Sequence, residues 1–231
     1  MLNYRMLKNI LIIGYGDIGQ RLKTIINSDE FNIYALSRSS INEEGINKTS
    51  WDWLSGEPFK FKDISFDTVI IIPKPSDMSQ GGYEDGFIRA IDNINNSLKN
   101  VSFKNLIAIS STRVYGPHQV GMLNEDSSME PADFRGKTIT RYESLLNKKH
   151  LSKLIVLRFS GLYDTNSDNK SFNRLHRDNA AKAINFFINN PDIIDRNNFI
   201  NCSEDIELDE TQKCISNEKI KKLGFKFDEY S

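Results

Sequence analysis

A chain of 231 residues has room for one sizeable core, or one core with a small appendage, because domains usually run to about 100–200 residues. Its 30 lysines and arginines are matched by 31 aspartates and glutamates, a formal charge of −1, which leaves no electrostatic footprint for nucleic acid or an anionic membrane surface. The longest apolar runs, residues 69–72 and 154–157, are strand-length and far short of the roughly 20 residues that a bilayer span needs.

No apolar leader with a small-residue cleavage site opens the sequence, so a cytoplasmic protein is expected. Cys202 and Cys214 have neither Cys-x-x-Cys spacing nor an adjacent histidine. Two reduced structural thiols are expected there, and no metal site.

Along the chain, the apolar run Ile10-Leu11-Ile12-Ile13 leads into Gly14-Tyr15-Gly16-Asp17-Ile18-Gly19 and then an amphipathic stretch at 20–26. This reads as strand, glycine turn, helix. In that context Gly14 makes the tight turn, Gly16 lets a pyrophosphate approach the backbone, and Gly19 lets the helix pack closely on the strand. Asp17 and Ile18 open the helix, whose N-terminal N–H groups and partial positive charge would face the phosphates. The bland reading of such a motif is an ordinary turn.

A second strand is expected at 32–36, ending Leu36-Ser37-Arg38-Ser39-Ser40. An acidic residue about 20 positions beyond the glycines usually selects NAD by bonding the ribose hydroxyls. Here Ser37, Arg38 and Ser39 stand at that place, and a guanidinium flanked by hydroxyls suits a 2′-phosphate. The pattern favours NADP(H) over NAD(H), against the alternative of a solvated surface arginine. Asp52, between Trp51 and Trp53, either caps a loop near adenine or is structural. The next strand, 68–72, places Ile72 and Pro73 at the cofactor edge and Lys74 beside them, where it is either near the diphosphate or solvated.

Helical spacing of Phe87, Ile88, Ile91, Ile94 and Leu98 predicts a helix over 83–99, and Ile139, Tyr142, Leu145 and Leu146 predict one over 138–149. Strands are expected at 106–109 and 154–159, a polar loop at 164–171, and helices at 178–190 and 216–223. Continuous apolarity in the strands means both faces are covered. The fold class is therefore α/β, a doubly wound parallel sheet of the Rossmann type, as one unit over 1–231 with 160–231 contributing a small substrate-side appendage.

The stretch Ser110-Ser111-Thr112-Arg113-Val114-Tyr115-Gly116 follows the strand that should end beside a nicotinamide. With the glycine turn it resembles the Ser-Ser-x-x-Val-Tyr-Gly pattern of the NAD-dependent epimerase/dehydratase family within the short-chain dehydrogenase/reductase superfamily. Arg158, Gly161 and Tyr163 match that family's Arg-x-x-Gly-x-Tyr strand end, and residues 173–180 resemble its Asn-Arg-Ile-His-x-x-Asp-Ala segment, with Asn179 where aspartate is usual. The resemblance spans residues 8–227.

It implies a hydroxyl that orients a carbonyl, a tyrosine that transfers the proton, and a lysine that lowers the tyrosine pKa. Ser111 matches the hydroxyl, and Ser110 is expected beside the cofactor. Aligning Gly136 and Glu143 with the family's helix puts Arg135 at the tyrosine and Ile139 at the lysine. Both partners are missing, as in the superfamily's atypical branch; the one Tyr-x-x-x-Lys, Tyr4 to Lys8, precedes the first strand. Tyr115 is the candidate substitute as proton donor, with loop packing as its other reading. His118 is either near the site or an exposed loop residue, Tyr142 faces either the cleft or the core, Lys137 is expected in solvent, and His176 is expected to be structural, bonding a backbone carbonyl, with a ligand role as its other reading.

The resemblance also implies a C-terminal part shorter than that of sugar-nucleotide epimerases. The function expected is that of an oxidoreductase or epimerase/dehydratase acting on a small sugar-like or carbonyl substrate. The rival is a catalytically inactive NADP(H)-binding sensor. A homodimer through the helices at 83–99 and 138–149 is one reading of their apolar faces, and core burial is the other.

Overall fold

Apolar runs bounded by glycine and proline become the inner strands of a parallel sheet, as continuous burial on both faces requires. The computed structural model describes residues 7–39, 43–150, 152–165, 172–193 and 198–230; Tyr4, Ser40 and residues 166–171 of the expected polar loop lie outside them. In chain order the first half runs β1 (Lys8–Ile13), α1 (Asp17–Ile25), β2 (Phe31–Ser37), β3 (Ile46–Ser50), β4 (Ser65–Ile71), α2 (Gln80–Tyr83), a π-helical turn Glu84–Arg89 and α3 (Ala90–Leu98). The second half runs β5 (Ser102–Ser111), β6 (Gly121–Leu123), α4 (Phe134–His150), β7 (Leu154–Phe159), β8 (Gly161–Tyr163), β9 (Arg174–His176), α5 (Arg177–Asn189), β10 (Asn198–Cys202), β11 (Lys213–Ile215) and α6 (Glu218–Lys222).

Seven strands form one sheet in the order β10-β7-β5-β4-β1-β2-β3, and every neighbouring pair is parallel. The order reverses at β1, which pairs with β2 on one side and β4 on the other. That reversal opens a crevice at the carboxyl ends of the strands, where ligands of this fold class collect. Side chains alternate between two cores: Leu11 and Ile13 pack with α3 and α4, and Ile10 and Ile12 with α1 and α5.

Both edge strands, β3 and β10, escape sequence reading. At β3 the residues Asn47, Thr49 and Ser50 are exposed, so an edge strand pairs through its backbone without an apolar pattern to announce it. Two small parallel pairs stand outside this sheet: β6 with β11, whose partners such as Gly121 and Lys213 are far apart in sequence, and β8 with β9, whose partners such as Gly161 and Arg174 are near. The helix expected over 83–99 starts earlier, at Gln80, because the Ser79 hydroxyl accepts from the Gly82 N–H at 3.0 Å. It also carries the π-helical turn, where Gly86 lies so close to the loop after β4 that a Cβ would sit 2.2 Å from the Lys74 carbonyl oxygen. The apolar faces of α3 and α4 are covered by the chain's own core: Ile91, Ile94, Ile139, Tyr142 and Leu146 are all buried there.

Gly14 joins β1 to the crevice at φ +91°, and a Cβ on it would lie 2.2 Å from the Ile72 carbonyl oxygen. A left-handed conformation alone costs an L-residue roughly 1–2 kcal/mol, and the clash adds to that. Gly14→Ala is therefore expected to lower the unfolding free energy by more than about 2 kcal/mol in urea denaturation, with a loss under 0.5 kcal/mol counting against this account.

Candidate functional site

The glycine turn is held by paired backbone bonds, with the N–H groups of Gly14 and Tyr15 donating to the Leu36 carbonyl at 3.0 and 3.1 Å. Gly16 is the N-cap of α1 and provides no side-chain cap. Among the described residues, a Cβ on Gly16 would meet nothing within 4 Å, so the first turn of α1 opens onto clear space. Gly19 does the opposite: a Cβ there would sit 3.0 Å from the Tyr15 ring and 3.6 Å from the Ile12 side chain. Tyr15 itself is buried, and its O–H donates to the Glu43 carboxylate at 2.7 Å. Burial, with the Glu43 carboxylate adding to it, pushes this phenol far up.

Asp17 sits in the first turn of α1, where a carboxylate would repel a phosphate. Two arginines neutralise it: Arg21 at 3.1 Å from its own helix and Arg177 at 2.7 Å from α5. Burial raises the Asp17 pKa, but the bonds from Arg177 and Arg21 outweigh it and hold the carboxyl below its usual range. The same arginines reach Asp164 at 2.7 and 3.1 Å, and Arg21 reaches Asp178 at 2.6 Å. This network, two arginines shared among three carboxylates and linking residues more than 140 positions apart, ties α1 to α5.

At the end of β2, the Ser37 hydroxyl donates to the Ser39 carbonyl at 2.8 Å. Arg38 and Ser39 are exposed, and among the described residues Arg38 has no carboxylate partner. Ile72 and Pro73 are half-buried at the end of β4, and Lys74 is exposed. Asp52 has a structural role, accepting from the Leu54 N–H at 3.0 Å, while the Trp53 ring stands against Gly14.

At the end of β5 the two serines part. The buried Ser110 donates its O–H to Glu143 at 2.6 Å, so the hydroxyl expected beside the cofactor points into the protein. Glu143 and Arg158, both buried, pair through two bonds of 3.0 and 2.8 Å. Arg158 also donates to the Tyr115 hydroxyl at 2.9 Å, and that O–H lies 2.8 Å from the Asn124 carbonyl and 3.1 Å from the Asn201 amide oxygen. Burial pushes the Tyr115 phenol up, against the pull of the Arg158 charge. The Tyr115 proton expected to serve catalysis is thus held in a buried network.

Ser111 is half-buried on the wall of a cavity of about 360 Å³, with Arg113, Tyr115, Asp133, Asn173 and Lys213 around it. Its Oγ accepts from the Arg113 N–H at 3.2 Å. On α4, the Arg135 guanidinium lies over the Tyr83 and Phe134 rings at 5.8 and 5.6 Å, and Ile139 is 3% exposed in the core. Tyr142 is fully buried, settling it in the core, while Lys137 and His118 are exposed. His176 caps α5 by accepting from the Asp178 N–H at 3.2 Å, a donor in place of the carbonyl expected, and stacks on Tyr230 at 3.7 Å. Asn179, at the aspartate position, clamps the C-terminal segment by bonding the Asp228 carbonyl and N–H at 2.9 and 3.0 Å. Cys202 and Cys214 are buried free thiols, and among the described residues no cluster could hold a metal and no helix is long and apolar enough to cross a membrane.

No protein-family model and no curated protein matches the chain. Solved structures do match it in fold. A putative NAD-dependent epimerase/dehydratase from Methylobacillus flagellatus aligns over 98% of this chain and 95% of its own, with 19% identity and a TM-score of 0.76. A UDP-glucuronic acid 4-epimerase from Bacillus cereus, in complex with NAD, aligns over 93% and 89%, with 13% identity and a TM-score of 0.72. A UDP-N-acetylglucosamine 4-epimerase from Methanobrevibacter ruminantium, in complex with UDP-N-acetylmuramic acid, aligns over 96% and 93%, with 18% identity and a TM-score of 0.72. The chain has the Rossmann-type α/β fold of the epimerase/dehydratase structures.

Removing one member of a buried ion pair strands the other's charge, at a cost of about 3–5 kcal/mol, whereas replacing both with apolar groups is far milder. Glu143→Ala is expected to lose about that much stability in chemical denaturation. The Glu143→Leu/Arg158→Met double variant should lose clearly less, and equal losses would mean that the pair's charges are not the issue.

Proposed function

We propose that this chain is an NADP(H)-binding oxidoreductase or epimerase/dehydratase of the atypical kind, acting on a small sugar-like or carbonyl substrate in the cavity beside Ser111. The observation that carries the reading is the open space over Gly16 at the uncapped start of α1, a cradle that a side chain would fill. The first N–H groups of a helix have no partner within the helix, and beside clear space they form an anion site of the kind a pyrophosphate takes.

In this reading Gly14, Gly16, Asp17, Ile18 and Gly19 cradle the pyrophosphate with their backbone. Arg38 meets the 2′-phosphate with Ser37 and Ser39 beside it, and Ile72 and Pro73 line the nicotinamide half. The dinucleotide supplies or accepts a hydride when bound. Ser111 donates its O–H to the substrate oxygen, and with Tyr115 and Ser110 committed to the buried network, the proton comes from water or from another group on the cavity wall. A positioned proton donor is worth roughly 10²–10⁴ in rate, so turnover without the Tyr/Lys pair is expected to be slow. A cavity of about 360 Å³ lies at the small end of ligand sites, which supports a small substrate. The Bacillus cereus neighbour, in complex with NAD, speaks for a nicotinamide dinucleotide, and Arg38 is what favours the phosphorylated form here.

One observation favours a second reading, an NADP(H)-binding sensor without catalysis. The positions of the proton-transfer pair have been absorbed into packing, Ile139 in the core and Arg135 over two aromatic rings. Ile139→Lys would bury an ammonium, so restoring the pair is a costly test; a turnover assay on the unsubstituted protein with NADPH and a panel of small aldehydes and ketones separates the two readings directly.

Calorimetric titration with NADPH, NADP⁺, NADH and NAD⁺ tests both, and should show the phosphorylated pair binding more tightly. Charge-assisted bonds contribute about 1.5–3 kcal/mol each, so Arg38→Ala is expected to weaken NADPH by roughly 10–100-fold and NADH by less than about twofold. Equal losses would refute the 2′-phosphate assignment. Gly16→Val has room in the fold and should abolish binding of all four forms with the circular dichroism spectrum unchanged; retained binding would reduce the glycine turn to a structural feature.

A further inference from the structure

The wall of the Ser111 cavity carries two cations and one carboxylate: Arg113, Lys213 and Asp133. Lys213 stands on β11, and its ammonium donates to the Tyr115 carbonyl oxygen at 3.2 Å. An ammonium has three donors, and among the described residues no carboxylate lies within 4.0 Å of this one. Burial lowers the Lys213 pKa and the Arg113 charge pushes the same way, with Asp133 pulling back weakly. A partly desolvated cation without a counter-ion is costly, and an anion placed beside it recovers that cost.

The remaining donors are arranged around the same space. Arg113 has a single 3.1 Å contact with Asp133 through Nη1, where a guanidinium and a carboxylate in full engagement make two. Asp133 is held independently as the cap of α4, accepting from the Gly136 N–H at 2.8 Å. The Ser111 Oγ accepts from Arg113 N–H and, among the described residues, its own proton has no acceptor. Lys213 is fixed in place by Asn173, whose amide donates to the Lys213 carbonyl at 2.7 Å and accepts from the Ile215 N–H at 2.8 Å. A cation on a clamped strand is pre-organised, which is what binding an anion in competition with water demands.

We infer that this cavity binds the anionic group of an acidic small molecule, a carboxylate or a phosphate, between the Lys213 ammonium and the Arg113 guanidinium, with the Ser111 hydroxyl as a third donor. The inference rests on the reading of this cavity as the substrate site, and it narrows that substrate from a neutral carbonyl or sugar to an acid. Neither Lys213 nor Asn173 stands out in the sequence as a site residue; Lys213 arrives on β11, which pairs with β6, and Asn173 immediately precedes β9.

The test is titration of the isotope-labelled full chain with D-glucuronate, glucose 6-phosphate and D-glucose, followed by amide and side-chain nuclear magnetic resonance. The expected result is saturable shifts around Lys213, Arg113 and Ser111 with one or both acids, the tighter of the two naming carboxylate or phosphate, and none with glucose. Lys213→Met should weaken the bound acid at least tenfold, and Lys213→Arg should restore it to within about threefold by keeping the charge. Asp133→Asn, which retains the helix cap and removes the competing carboxylate, should tighten it. Glucose binding as well as the acids, no acid binding, or an unchanged affinity in Lys213→Met would each overturn the anion site. Dinucleotide titration of the same samples separates the two claims, because acid binding without dinucleotide binding sustains the anion site and sinks the cofactor reading, and the reverse result does the opposite.

Discussion

Glu143 on α4 and Arg158 on β7 are buried against each other at the carboxyl edge of the sheet, and the arrangement beyond that edge descends from them. A guanidinium in a protein interior keeps its charge, so everything around it must supply acceptors. Glu143 takes two of its N–H groups, the Tyr115 hydroxyl takes a third, and the Phe199 ring covers one face at 4.6 Å. The cost of burying the pair is offset only with such full engagement. Its consequence is positional: Ser110 is drawn inward, Tyr115 is locked with its backbone carbonyl toward Lys213, and Ser111 is left on the cavity wall. The serine pair that looks equivalent in sequence is split by one buried charge.

A second constraint operates at the opposite side of the crevice. β1 and β4 end so close together that Gly14 has no room for a side chain, while two residues later Gly16 faces open space. The two glycines differ physically: the first is required by the steric crowding of the fold, and the second leaves clear space among the described residues. Between them and the sheet, Arg21 and Arg177 neutralise Asp17 and lash α1 to α5. Each of these half-exposed ion pairs is weak alone; as a network, with Asp164 and Asp178 as further acceptors, they fix the start of α1 against α5.

Much of this was legible in advance where a local rule was strong. The β1 run, the glycine turn and α1 form one contiguous pattern, and the inner strands β4, β5 and β7 show unbroken apolarity because both faces are covered. That Arg135 and Ile139 stand where the resemblance expects a tyrosine and a lysine needs only residue identities and no coordinates. Less was visible wherever partners are remote. β3 and β10 are edge strands with polar residues, and nothing at 46–50 or 198–202 repeats with a strand's period strongly enough to stand out. From its place in the pattern, Tyr115 was a candidate proton donor or a loop-packing residue; its partner Asn201 lies 86 residues away, and a hydroxyl's availability depends on who else claims it.

The sequence by itself determined the fold class and the place of the glycine turn between β1 and α1, since these follow from short-range periodicity and turn chemistry. The tertiary structure alone decided which hydroxyls face the cavity, that Asp17 is paired with an arginine from α5, and that Lys213 enters the cavity wall from a strand near the end of the chain. Those outcomes depend on desolvation and on charges brought together across more than 90 residues, and a linear sequence carries no record of either.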